Sequence, residues 1–380
     1  MMDASLAAQA YVRAAPEPDL PAPLLSRGAL AWARTNLFSS WSSSLVTLLL
    51  TLLALWTLVP LLEWATIRAV WSAPDGALCR EHQDGACWAF IAQKWDYLRY
   101  GSYPASERWR VDVVEIVGAV LIVWLLWIGA PRRVLAAALF FIAYPVLTFV
   151  LLHGAPWLGL PIVDSGSWGG IFVSLLVALV GIVFSLPLGV LLALGRRSKL
   201  PVVKLASIVF IEFVRGVPFI TILFMANNML PLFLPDNWAP DRLLRPLVGT
   251  ALFAAAYMAE EVRGGLQSMP KGQFEGAEAL GLNFRLMTGL IILPQALTLV
   301  IPGIVNTFIG LFKDTTLVSV VGVLDFLETM QNAFKDTVWS GPTIQTTGYA
   351  FAALFYFVFC YAMARYSDAT ERRLAAGRRR

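Results

Sequence analysis

Long apolar runs separated by short polar segments dominate the chain. Eight stretches are apolar over a length that can cross a bilayer, which takes about 20 residues per helix. They are 45–64, 114–129, 134–153, 168–195, 203–230, 246–262, 286–311 and 349–366. None alternates apolar with polar positions, as the strands of a membrane barrel would. The pattern predicts an all-α membrane protein with about eight transmembrane helices. No internal repeat is visible.

The runs differ in character along the chain. Residues 1–44 are rich in Ala, Pro and Ser and hold no apolar run followed by a cleavage site. A mostly unstructured tail and no cleaved signal peptide are expected there. Residues 45–160 hold three spans of generic Leu, Val, Ala and Trp, with a long loop at about 66–113. Residues 161–370 hold five spans interrupted by prolines, glycines and charges, and 371–380 is a basic tail. Polar groups at membrane depth are costly, so function is expected in the second part.

Composition sharpens this picture. Of the 380 residues, 58% are apolar and 14% charged, against about 25% charged in a soluble domain. Mean hydropathy is +0.68. A water-soluble enzyme, a disordered tail and a fibrous repeat are excluded. A net charge of +4 and a pI near 9.0 are compatible with nucleic-acid binding. In a chain of this kind, however, basic residues collect in cytoplasmic loops, so no nucleic-acid partner is expected.

The same rule gives an orientation. With a cytoplasmic N terminus, Arg132, Arg133, Arg196, Arg197, Lys199, Lys204, Arg263, Lys271, Arg285 and the C-terminal arginines fall inside. Arg242, Arg245, Lys313 and Lys335 fall outside. Both termini are then cytoplasmic. The loop at 66–113 conflicts, since it carries six basic residues and should lie outside. The rule weakens for long loops.

Three cysteines are present. Cys360 lies in an apolar run and reads as packing. Cys79 and Cys87 share the first loop and can either pair, if it faces an oxidising compartment, or remain free thiols. Cys79, His82 and Cys87 lack a fourth ligand and have loose spacing for a metal. No metal site is expected.

Charges inside the apolar runs are candidate pathway groups. Glu212 and Arg215 are three apart and share a helix face, and Pro218 should bend or break the helix after them. They suit either a substrate pathway or a structural ion pair. Asn227 and Asn228 end the same run. Pro294 and Pro302 leave backbone carbonyls unpaired, and these can line a cavity. Asn306 and Asp314 lie about two turns apart on one face. Asp314 is suited to accept from an ammonium, and Asn306 or Arg215 to donate to a carboxylate. The plainer reading makes Lys313 and Asp314 snorkelling charges.

The segment 265–285 reads as helix–turn–helix. Ser268 is placed to cap a helix, Pro270 suits its first turn, Gly281 is placed to end it in a left-handed conformation, and Asn283 to cap the next. Small residues at 276, 277 and 279 would let a partner approach closely. The alternative is a helix lying on the membrane surface, but its apolar face of Phe274, Ala277 and Leu280 is thin.

Here the residues carry a resemblance. Glu275-Gly276-Ala277, then Gly281, Ile291 and Leu293-Pro294 keep every spacing of the Glu-Ala-Ala loop of permease subunits in ATP-binding-cassette importers. Gly276 replaces the usual Ala. Four further segments resemble the polar amino acid branch, the histidine/glutamine permease family. They are Phe213-Val-Arg-Gly-Val-Pro-Phe, Ala256-Tyr-Met-Ala-Glu-Glu-Val-Arg-Gly-Gly, Gln267-Ser-Met-Pro-Lys-Gly and Leu311-Phe-Lys-Asp-Thr-Thr-Leu-Val-Ser. The resemblance covers roughly 165–370. The three extra N-terminal spans resemble the longer M-type subunit of general L-amino acid systems in Gram-negative bacteria.

The resemblance implies a type I importer core in the bacterial inner membrane. Two ABC ATPase subunits would dock on the coupling loop, beside a second homologous permease and a periplasmic amino-acid-binding protein. Glu275, Gly276, Ala277, Gly281, Ile291, Leu293 and Pro294 would form the coupling element. No cofactor is implied in this chain, and ATP and Mg would be bound by the partner ATPases. No Gly-x-x-x-x-Gly-Lys-Ser/Thr phosphate loop occurs in the sequence, so no catalytic residue is assigned. A stand-alone ion-coupled carrier is the alternative, though such carriers often show inverted repeats. A membrane scaffold without transport would need neither the prolines nor the charges at membrane depth.

Overall fold

The computed structural model describes residues 28–127, 129–235 and 240–378. Of the expected tail over 1–44, residues 1–27 lie outside the described residues, as do Arg379 and Arg380, while 28–44 depart from the expectation: Ala29–Asn36 is helical and the next helix already starts at Trp41, capped by Ser40. The chain forms two compact units, Met1–Arg68 and Ala69–Arg380. In the first, α1 (Ala29–Asn36) precedes α2 (Trp41–Leu62). Ser40 caps α2 by accepting from the Ser43 N–H at 3.1 Å, and Thr47 donates back to the Leu37 carbonyl at 2.8 Å. Pro60 falls near the end of α2, and one wide turn, Glu63–Ile67, completes the span. None of the α2 residues is buried within the chain.

The second unit opens with α3 (Ala77–Glu81), α4 (Trp88–Tyr100) and α5 (Arg108–Leu126). A sharp turn leads into α6 (Arg133–Ala138), which continues through a wide turn into α7 (Tyr144–His153). Next come α8 (Ile171–Arg196), α9 (Pro201–Gly216), α10 (Phe219–Phe224) and α11 (Leu244–Gln267). The last group is α12 (Lys271–Ala279), α13 (Phe284–Leu286), α14 (Leu293–Leu299), α15 (Ile301–Asp314), α16 (Phe326–Ala333) and α17 (Pro342–Arg378).

Among the described residues, five helices are long and apolar enough to cross a membrane, or six if one bent pair counts as a span. That is fewer than the eight stretches of the sequence, because two of them carry charges and the one at 203–230 is the bent pair. The stretch at 114–129 becomes α5, whose first half carries Arg108, Arg110, Asp112 and Glu115. The stretch at 246–262 becomes α11, which carries Arg245, Glu260, Glu261 and Arg263. The stretch at 286–311 is not lost but shifted: it breaks at Val300, because Pro302 has no N–H to give and starts a new helix, and the candidate span becomes Ile301–Val321. Pro218 acts as the sequence indicated: Pro201–Gly216 and Phe219–Phe233 meet at 112°.

The unit is built around α8 and α11. Gly181 of α8 faces Thr250 of α11, and Gly189 faces Met258. The offset is constant, so the two helices run in the same direction. A methyl on Gly189 would stand 2.6 Å from the Met258 Cβ and 3.0 Å from the Ala259 nitrogen. Ala251, Ala254, Ala255 and Ala259 keep the α11 side equally small. Small residues let helix backbones approach where no hydrophobic force drives them together.

The N-terminal end of α8 is a polar clamp. Gly170 donates to the Leu324 carbonyl at 3.0 Å, and Ser174 accepts from the Phe326 N–H at 2.8 Å. The first loop sits on the same end. Cys79 and Cys87 are joined in a disulfide. The Cys87 N–H donates to the Thr347 hydroxyl at 2.8 Å, and Thr343 donates to the Cys79 carbonyl at 3.3 Å, both from α17. Phe90 of α4 packs between Phe334 and Trp339, each ring 6.0 Å away.

The basic residues of this region have carboxylate partners close by. Arg68 pairs with Glu63, Lys94 with Asp336, Arg99 with Asp112 and Glu115, Arg108 with Asp96, and Arg110 with Glu107. Arg80 instead donates to the Val338 and Ser340 carbonyls. Five of the six basic residues of this loop are thus paired with carboxylates.

Asp325 caps α16 by accepting from the Leu327 and Glu328 N–H groups, each at 3.0 Å. It is fully buried, and burial pushes its carboxyl up to about 6, with the Glu328 charge adding to the rise. The folded protein therefore holds this proton more tightly than the unfolded chain. Stability from this group is complete below the unfolded pKa and is lost as pH rises through about 6. Asn caps as well as Asp but does not ionise. Thermal unfolding in detergent between pH 4 and 8 should show this loss in the wild type, and Asp325→Asn should remove that component of the slope.

Candidate functional site

The segment between α11 and α14 projects from the C-terminal end of α8 and α11, opposite the disulfide. Its start differs from the sequence expectation. The Ser268 hydroxyl donates to the Gly264 carbonyl at 2.9 Å, so it closes α11 rather than capping α12. Pro270 stands immediately before α12 in an extended conformation. The other end forms as expected. Gly281 takes φ +70, and the Leu282 N–H returns to the Ala277 carbonyl at 3.2 Å, a left-handed helix stop. Asn283 then accepts from the Leu286 N–H at 3.0 Å and caps α13.

Two faces result. Ala277 is buried, and half-buried Phe274 and Leu282 join it against Met269, Met287 and Ile292. The Arg197 guanidinium lies 5.6 Å over the Phe274 ring and donates to the Leu266 carbonyl. Gln295 of α14 donates to Gln273 of α12 at 3.1 Å. The opposite face, Glu275, Gly276, Glu278 and Ala279, is exposed, and Leu280 at its end is 77% accessible. Ile291 and Leu293 are half-buried in the cluster that supports α12, while Pro294 is exposed in the first turn of α14. The motif thus divides its labour: Glu275, Gly276 and Gly281 form surface, and Ala277, Ile291 and Leu293 hold that surface in place.

Above the knob lies a charged knot that the sequence placed only in part. Glu212 and Arg215 do not pair with each other. Glu212 accepts from Arg196 at 2.8 Å, and Arg215 lies 3.5 Å from Glu260. Glu260 is the hub, also held by Arg196 at 3.0 Å and by Arg263 at 2.6 Å. The Glu212 side chain is 54% exposed and that of Glu260 only 15%, so the better-buried acid attracts the guanidiniums. Sequence reasoning missed Glu260, Arg196 and Arg263 as a unit. The available signal was the i,i+3 spacing of Glu260 and Arg263 near a helix end.

The other pathway candidates are not gathered into one site. Asn306 and Asp314 both lie on α15, about 80° apart around its axis by helical geometry, so on neighbouring sides rather than one face. Asn306 is exposed and Asp314 half-buried. Arg215 is engaged by Glu260 and by the Tyr257 ring, 5.6 Å away. The disulfide occupies both thiols of Cys79 and Cys87, so neither is a free metal ligand beside His82.

Residues 185–376 match the family model described as binding-protein-dependent transport system inner membrane component. The chain is 47% identical over 362 residues to the inner membrane amino-acid ABC transporter permease protein YhdY of Escherichia coli, across 95% of this chain and 97% of that one. It is 38% identical over 417 residues to the glutamate/glutamine/aspartate/asparagine transport system permease protein BztC of Rhodobacter capsulatus, across 93% and 95% of the two chains. A crystal structure of an amino acid ABC transporter with histidines aligns with a TM-score of 0.47 and 26% identity, over 54% of this chain and 92% of that one.

A Cβ at Gly276 would meet nothing within 4 Å, and Ala favours a helix over Gly by up to about 1 kcal/mol. Gly276→Ala should therefore raise the thermal unfolding temperature in detergent and leave transport unchanged.

Proposed function

Because the chain belongs to the family of binding-protein-dependent transport system inner membrane components, we propose that it is the permease through which an ATP-driven importer carries L-amino acids. It is a multi-pass membrane protein and a transport subunit. The near-full-length likeness to relatives named as amino-acid permeases supports the substrate class. The same likeness favours an importer subunit over a stand-alone ion-coupled carrier.

The observation that carries the mechanism is the rigid exposed face of α12. A short helix with Gly276 and Ala279 outward offers a shallow surface for a groove on a partner protein. In this reading Glu275, Gly276 and Gly281 meet a separate ATPase subunit, and ATP and Mg are bound there. Two ATPases drive the complex, a second homologous permease completes the pathway, and a periplasmic binding protein delivers the amino acid. The α12 end is cytoplasmic and the disulfide end periplasmic, which puts Arg196, Arg197, Arg263 and Lys271 inside and suits a disulfide outside. Both termini are then cytoplasmic. Residues 45–160 form the accessory N-terminal spans and 161–370 the translocating core.

The knot gives the knob a route into the spans. A force on α12 reaches α11 through Met269 and α8 through Arg197. Glu260 then couples α8, α9 and α11, so they move together when the partner ATPases close. Pro218 and Pro302 supply the breaks about which such segments can turn. Asn306 and Asp314 are assigned to the pathway, with Asp314 accepting from the substrate ammonium. Arg215 and Glu212 belong to the coupling side of the same route.

Glu275→Lys reverses charge on the exposed face without touching the core. It should abolish amino acid uptake while the protein still reaches the membrane at normal level, and normal uptake would remove the coupling role. Asp314→Asn should raise the substrate concentration needed for half-maximal uptake severalfold while the ATPase still co-purifies. An unchanged profile across amino acids would take Asp314 off the pathway.

A further inference from the structure

The turn between α5 and α6 carries a feature that transport does not use. α5 starts at the disulfide end, where Arg99 pairs with Asp112. Its other end therefore points away from the disulfide end. There the helix closes at Trp127, and the Trp124 indole donates to the Pro131 carbonyl at 2.9 Å. The Arg133 guanidinium donates to the Leu125 carbonyl at 2.6 Å and holds the end of α5. Between them lies a groove of about 660 Å³, lined by Val120, Val123, Trp124, Trp127, Ala130 and Pro131.

Arg132 stands next to this lining. It is the one non-glycine residue with positive φ among the described residues, at 54°. L side chains disfavour that region. Its side chain is exposed and makes no hydrogen bond or ion pair among the described residues. From 116 to 135 the sequence has no acidic residue, so this segment itself offers no carboxylate to Arg132 and Arg133. Tryptophans favour the depth where acyl chains meet headgroups, and basic pockets between membrane helices suit anionic headgroups.

We infer that the groove at the α5–α6 turn binds an anionic phospholipid. One acyl chain lies against Val120, Val123 and Trp127, and the phosphate rests on the Arg132 guanidinium. Arg133 acts as a positioning residue, because its guanidinium is spent on the α5 carbonyl. The preference for anionic over zwitterionic lipid comes from an uncompensated positive charge beside an open apolar groove. It does not depend on which solute is transported.

The test is native mass spectrometry of the full transporter assembly in mild detergent, supplied with equal amounts of phosphatidylglycerol and phosphatidylcholine. The wild type should retain severalfold more phosphatidylglycerol. Arg132→Gln should bring its retention down to the phosphatidylcholine level. Val120→Trp, which fills the groove and keeps Arg132, should lower phosphatidylglycerol retention as well. Equal retention of the two lipids by the wild type would overturn the proposal. So would an undiminished excess in Arg132→Gln, or in a Val120→Trp assembly of normal stability.

Discussion

One carboxylate ties three helices together. Glu260 of α11 takes Arg196 from the last residue of α8, Arg215 from the last turn of α9 and Arg263 from its own helix. Removing such a carboxylate from water is costly unless guanidiniums surround it, and here they do. The geometry is mutually supporting, because arginines at helix C-termini also oppose the negative end of the helix dipole. The α8–α11 pair could slide along its smooth row of small residues without this pin. The position of α12 follows, since Arg197 sits next to Arg196 in the chain and lies over Phe274.

The opposite end of the bundle solves a different problem. It joins segments far apart in sequence, and it does so with backbone hydrogen bonds and caps. Ser174, Thr329, Thr343 and Thr347 each bond the backbone of another segment. Such bonds fix geometry at modest net energy. The aromatic contacts of Phe90 and Phe326 supply apolar burial beneath them. One end of the molecule is thus pinned by charge and the other by shape.

Much of this was legible in the residues. Apolar run length gave the helical membrane class, and Pro218 marked a true break. Gly281 and Asn283 announced the turn and the cap that define the knob, because each has a local conformational role that no distant contact overrides. Span number was less legible. The stretch at 286–311 read as one span, but Pro302 starts a separate helix once Val300 leaves the helical path. Pairing of charges was least legible. Glu212 and Arg215 share a face by spacing, yet each finds a partner on another helix. Helix periodicity says which way a side chain points, not what comes to meet it. Only tertiary packing could show that Glu260, the more buried acid, would win the competition.

The seat of the disulfide loop has a consequence for how the molecule is made. Cys87 and Thr347 are separated by 260 positions. During synthesis the loop forms early, and its docking threonines arrive only with the final helix. Until then Cys79, Cys87 and Phe90 have no α17 or α16 to rest on. Completion of the last span is therefore what locks the first loop, so a nascent or prematurely terminated chain would carry an open clasp. The finished chain alone covers that surface, with the threonines of α17 and the rings of Phe334 and Trp339.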